Sequence, residues 1–124
     1  MNNNFIDNNV KLKPAEKSAA LFLASKGFRI EVIIPSNTPH NKNPDFLING
    51  KIWELKCPTK NRRETLERCF KKAAKQSENL LLDLRNIKGA NKNTLDIIVS
   101  RFRYSKSIKQ LMVIQNNTLL RYKK

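Results

Sequence analysis

The sequence predicts a mixed α/β (α+β) fold: a mixed central sheet on an α-β-β-β-α-β core, with an additional helix and a C-terminal hairpin. Three observations carry that reading. Helical spacing and strand alternation take turns along the chain, with no internal repeat. The dipeptide Asn49-Gly50 separates two short β-like runs. The apolar run Leu80 to Leu84, broken only by Asp83, fits a strand buried on both faces, the kind a helical crossover feeds. With 124 residues, 40% of them apolar, the chain can fill about one core, so residues 1–10 read as a loose arm and 11–124 as a single domain.

The arm is rich in Asn and poor in pattern. Pro14 suits the first turn of a helix, and Ala15 to Ser25 holds no breaker until Gly27 supplies a stop. Phe28 to Ile34 alternates and is β-branched, hence a strand. Pro35 to Pro44 carries three prolines among polar turn residues and reads as a loop. Asp45 to Ile48 and Lys51 to Cys57 flank Asn49-Gly50 as a type I′ hairpin. Asn61 followed by Glu64 predicts an N-cap, and Leu66, Phe70, Ala73 and Ser77 give an amphipathic helix over 62–78. After the buried strand, Leu95, Ile98, Val99 and Phe102 predict a helix over 93–104. Gln110 to Gln115, Asn116-Asn117 and Thr118 to Tyr122 predict a second hairpin.

Composition narrows the function classes. Lys and Arg number 25 against 10 Asp and Glu, a formal charge of +15. Such self-repulsion is offset by binding a polyanion, and nucleic acid is the first candidate. Lys60, Arg62, Arg63, Arg68, Lys71, Lys72 and Lys75 crowd the loop and helix after the hairpin, with Arg101, Arg103, Lys106 and Lys109 as a second cluster. No apolar run approaches the roughly 20 residues of a membrane span, and the start MNNNFIDNN lacks the basic and apolar regions of a signal peptide. Cys57 and Cys69 have no CxxC spacing and no clustered His, so they read as reduced core thiols, not zinc ligands or a disulfide scaffold. So basic a surface also argues for a monomer.

The hairpin is the chemically informative element. Its two-residue turn sets Ile48 against Lys51, Leu47 against Ile52, Phe46 against Trp53, and Asp45 against Glu54. Two carboxylates nine positions apart thus become cross-strand neighbours, with Cβ atoms roughly 5 Å apart. Alternation adds Leu47, Ile52 and Lys56 to that face and sends Phe46, Trp53 and Leu55 to the other, where Phe46 and Trp53 read as core. At an effective dielectric near 20 the repulsion is on the order of 3 kcal/mol, which Lys56 or a hard divalent cation such as Mg²⁺ would offset. Solvated carboxylates at a strand end remain the bland alternative. Glu16 shares a helical stripe with Ala19, Ala20 and Leu23, so it lies either at a rim or in convergence with the hairpin acids. His40, in the loop before Asp45, is either a solvated residue or a general acid.

Pro44-Asp45, eight residues, then Glu54-Leu55-Lys56 resembles the PD-(D/E)xK nuclease signature, and the element order with Glu16 in the opening helix resembles that superfamily's core. The stretch PDFLINGKIWELKCP, the basic helix containing Lys75-Gln76 and the strand LLLDL are more closely similar to C-terminal toxin domains of contact-dependent growth inhibition and related polymorphic toxin systems, several of which are tRNA nucleases. The likeness covers roughly residues 12–122. It implies a metal-dependent nuclease: Asp45 and Glu54 holding the divalent metal, Glu16 completing or orienting the shell, and Lys56 steadying the nucleophile or developing charge. Gln76 would join the site, although Leu80 stands where some superfamily members have Tyr four residues on. The likeness also implies tRNA as substrate, action in the cytoplasm of a target cell, and a cognate immunity protein. Alternatives are a DNA endonuclease of the same fold, a metal-independent ribonuclease using His40 and lysines, and a non-catalytic basic nucleic-acid-binding module.

Overall fold

Pro14 opens helix α1 (Pro14–Ser25), as its fixed φ favours at a first turn. Gly27, at φ +97°, ends it: its N–H bonds Ala24 O at 3.0 Å and that of Phe28 bonds Leu23 O at 3.1 Å, a Schellman closure. The computed structural model describes residues 5–6, 12–33 and 45–124, in two compact units, 1–53 and 54–124.

The first unit holds α1 and the strands β1 (Phe5–Ile6), β2 (Ile30–Ile33) and β3 (Asp45–Ile48), with the first half of β4 (Lys51–Lys56). The short β1, within the stretch read as an arm, runs parallel to β2 with Phe5 opposite Ile30. Strand β2 starts later than expected because Phe28 is occupied in closing α1. Strands β2, β3 and β4 follow antiparallel, with Val32 opposite Phe46 and Phe46 opposite Trp53. Asn49 and Gly50 take φ of 51° and 85°, the two left-handed residues that a type I′ turn requires. Asn49 also receives the N–H of Arg29 on its Oδ1 at 2.9 Å, tying the turn to the residue before β2. Alternation works as expected: Phe46, Ile48 and Trp53 are buried, whereas Ile52 is exposed. The buried stripe of α1 is Ala19, Ala20, Leu23 and Ala24.

In the second unit the other half of β4 is followed by α2 (Arg63–Ala73), β5 (Asn79–Asp83), α3 (Lys92–Tyr104), β6 (Gln110–Gln115) and β7 (Thr118–Lys123). Two successive crossovers make β4, β5 and β6 parallel, and the Asn116-Asn117 turn returns β7 antiparallel to β6. Leu66, Phe70 and Ala73 of α2 and Ile98 and Phe102 of α3 bury against Leu80, Leu82, Leu111 and Val113. Those are alternate residues of β5 and β6, so both helices cover one face. Each fully buried Leu contributes about 1.5–3 kcal/mol relative to exposure.

Helix α2 departs from its expected limits of 62–78. Its N-cap position is Arg62, not Asn61, and it ends at Ala73, where the N–H groups of Gln76 and Ser77 both bond Ala73 O at 2.9 Å. Asn61 is engaged elsewhere: its Oδ1 accepts from Thr94 Oγ1 at 2.7 Å and its Nδ2 donates to Gly89 O at 3.2 Å. The expected capping-box geometry is found instead at α3, where Asn91 Oδ1 accepts from Thr94 N and Thr94 Oγ1 accepts from Asn91 N, both at 3.1 Å.

Candidate active site

Strand β4 sets the geometry. In its parallel register with β5, Glu54 pairs with Leu80 and Lys56 with Leu82. Paired residues of parallel strands point to the same face, so both side chains lie on the face that carries α2 and α3. There Lys56 Nζ approaches Glu54 Oε2 at 3.2 Å, and the two side chains are 26% and 22% exposed. An ion pair held this way, two residues apart on one strand, keeps a carboxylate and an ammonium together at a partly wetted surface.

Helix α2 brings further charge to the same place. The Cys69 thiol, half-buried and packed against the helix-face core, is pushed above its ordinary value of 9.0 by burial, with Lys56, Lys72 and Arg68 pulling it the other way. Three cations within electrostatic reach of one thiol mark where strand and helix meet: Lys56 from β4, Arg68 and Lys72 from α2. Towards the start of α2, Thr59, Lys60, Arg62, Glu64, Thr65 and Arg68 line a cleft of about 630 Å³. Lys60, Arg62, Arg63, Lys71, Lys72 and Lys75 are all exposed, free to meet a polyanion.

Asp45 opens β3 opposite Ile33 of β2, and its side chain lies outside the described residues, as does His40 altogether. Glu16 is partly buried in the first turn of α1, where its Oε1 accepts the backbone N–H of Lys13 at 2.9 Å. Gln76 is exposed in the turn after α2. Among the described residues no three of His, Cys, Asp and Glu gather into a ready-made metal cage. Cys57 and Cys69 are reduced and each only partly buried, where core positions were expected.

Two features escape the sequence reading. The pull of Lys56 on Cys69 is one, because it depends on how α2 lies along β4. The other is Asp83, buried at the end of β5, whose carboxylate is clamped by Arg85: Oδ1 accepts from Arg85 N at 3.0 Å and Nε at 2.9 Å, and Oδ2 from Nη2 at 2.8 Å. An Asp interrupting an apolar strand, with Arg two residues on, was the available signal.

Residues 42–119, more than half of the chain, match the family described as the contact-dependent growth inhibition CdiA C-terminal domain. The chain belongs to that family. Its fold is similar to that of a chain in the CdiA-CT/CdiI toxin and immunity complex from Burkholderia pseudomallei, with a TM-score of 0.72 at 17% identity over 97% of this chain and 98% of that one. At that identity the likeness speaks for the fold, the mixed α/β architecture expected of the sequence. A search of the curated proteins finds no significant match. Among the described residues no helix of this CdiA C-terminal domain is long and apolar enough to cross a membrane.

Proposed function

We propose that this CdiA C-terminal domain is an interbacterial toxin: a metal-dependent nuclease that cleaves tRNA in the cytoplasm of a target cell. The observation that carries the reading is the partly exposed Glu54–Lys56 pair, 3.2 Å apart on β4 and next to the cations of α2. A carboxylate for a metal ion and an ammonium for a phosphate oxygen, flanked by a basic cleft, is what phosphodiester cleavage asks of a protein. Family membership and the toxin–immunity complex of the structural neighbour support the toxin part.

The donor chemistry suits a divalent cation. Glu54 offers a hard oxygen at a partly wetted position, and Mg²⁺ takes one or two carboxylates together with waters and substrate phosphates. Asp45 and Glu54 would hold the ion, with Glu16 completing or orienting the set. When bound, it supplies Lewis-acid stabilisation of the phosphate and a more acidic water. The protein's own groups do the rest. Lys56 holds negative charge at the phosphate, and its pairing with Glu54 fixes where that ammonium sits. Lys60, Arg62 and Arg68 line the cleft and grip the backbone phosphates on either side. A cognate immunity protein would cover this basic cleft with an acidic surface.

Glu54→Gln tests the reading. The substitution is nearly isosteric and removes only the carboxylate charge, so cleavage of tRNA should fall by at least about 100-fold while affinity changes by less than about threefold. Wild-type cleavage by that variant across a Mg²⁺ titration would overturn it.

A further inference from the structure

Tyr104 closes α3 with its side chain in water. At 79% exposure it stands, among the described residues, well above the other exposed large apolar side chains, Leu21 at 49% and Ile52 at 47%. It lies in a stretch of chain rich in cations. From residue 97 to residue 124 the chain carries Arg101, Arg103, Lys106, Lys109, Arg121, Lys123 and Lys124 and not one Asp or Glu. The fold draws part of that charge to the end of α3. The ammonium of Lys124 donates to Ser105 O and lies 4.8 Å from the centre of the Phe102 ring, and Lys124 N bonds Lys109 O at 3.1 Å. Arg101 and Arg103 suit the negative end of the helix dipole, but Lys106 and Lys109 lie beyond it and gain nothing there.

We propose that Tyr104 is a stacking platform for an unpaired base of a single-stranded RNA segment, whose phosphates are held by Arg101, Arg103, Lys106, Lys109 and Lys124. This rests on the reading of the chain as an RNA-cleaving enzyme and adds a preference to it, for substrates with unstacked nucleotides. A flat ring in water, on a cation-rich stretch of chain, matches the two halves of a nucleotide: every base has a π-face, and every linkage a charge. The bases of a duplex are already stacked and closed to a protein ring, whereas loops and ends can splay a base onto one. An acidic partner protein would be met by the cations alone, whereas the exposed ring adds the face on which a base stacks.

The test is fluorescence anisotropy of the full chain in EDTA. The probe is a fluorescein-labelled RNA of about 12 nucleotides, single-stranded or annealed to its complement. Tyr104→Ala should weaken single-strand binding by about 5- to 150-fold, the range for losing one stacked base, and duplex binding by less than about twofold. Tyr104→Phe keeps the ring and should bind as the wild type does. Because no cation is lost, the slope of log K against log salt should be unchanged in both variants. Wild-type single-strand affinity in Tyr104→Ala would overturn the proposal and assign the ring to a contact other than nucleic acid. Equal weakening on single strand and duplex would overturn it too. A wild-type chain that binds RNA but never cuts it with Mg²⁺ would remove the nuclease reading and leave the platform standing, whereas no RNA binding at all would remove both.

Discussion

Replacing Asp83 with Asn should destabilise the second unit more than any change at the candidate site. The carboxylate is almost wholly buried, its side chain 2% exposed, and accepts three N–H bonds from Arg85 at 3.0, 2.9 and 2.8 Å. A hydrogen bond to a charged group contributes about 1.5–3 kcal/mol, but the three share one acceptor group and do not add. Asn keeps the Oδ1 acceptor and turns an NH₂ group towards Arg85 Nη2, donor against donor. The Arg85 side chain is 26% exposed and can recover water, so the loss stays below the 3–5 kcal/mol of a fully buried broken pair. About 2–3 kcal/mol is expected, or roughly 30- to 150-fold in the folding equilibrium. For a chain of this size that lowers Tm by about 8–12 °C. The guanidinium pKa is raised, chiefly by its side-chain bond to Asp83. A cation raised in the folded state contributes its stability in full below its unfolded pKa, so the effect of Arg85 should be flat at neutral and moderately alkaline pH. Urea and thermal melts of Asp83→Asn, Arg85→Met and the double variant measure it. A loss under about 0.5 kcal/mol, or strictly additive single variants, would refute the clamp.

Two further outcomes are expected. The Cys69 thiol is raised above 9.0 by burial, so folding favours its neutral form; the associated stability is present in full below pH 9.0 and falls as pH rises through the folded value. Urea midpoints should therefore decline above about pH 9, and Cys69→Ala should flatten that limb; a limb that survives the substitution contradicts the assignment. RNA affinity should fall steeply with salt, with a slope of log K against log salt near −4 for about six phosphate contacts. Charge reversal at Arg62, Arg63, Lys71 and Lys75 should flatten it, and a wild-type slope near zero would remove the polyanion argument.

What was legible in the sequence was what local chemistry decides. Asn49-Gly50 fixes its own turn, and through it the register that buries Phe46 and Trp53 and exposes Ile52. Pro14 and Gly27 bracket α1 because each has a conformational preference that acts within one turn. The Glu54–Lys56 pair followed from strand alternation alone. What failed depended on distant partners. Asn61 looked like a cap to Glu64, but Thr94, 33 positions away, engages its amide oxygen. Strand β1 is short and gains its definition from β2. Cys69 read as a reduced core thiol because it has no CxxC spacing and no clustered His, signals that carry nothing of Lys56 lying within electrostatic reach. Asp83 and Arg85 carried a signal, but an isolated acid in an apolar strand does not reveal whether it is clamped or solvated.

Metal-dependent cleavage of RNA can be decided on a single gel. The purified chain is incubated with total tRNA and, separately, with supercoiled plasmid, in Mg²⁺ and in EDTA. Discrete tRNA fragments are expected in Mg²⁺, intact tRNA in EDTA, and plasmid left supercoiled in both. Intact tRNA beside nicked or linear plasmid would move the activity to DNA, and tRNA cut equally well in EDTA would contradict the role given to Asp45, Glu54 and the metal.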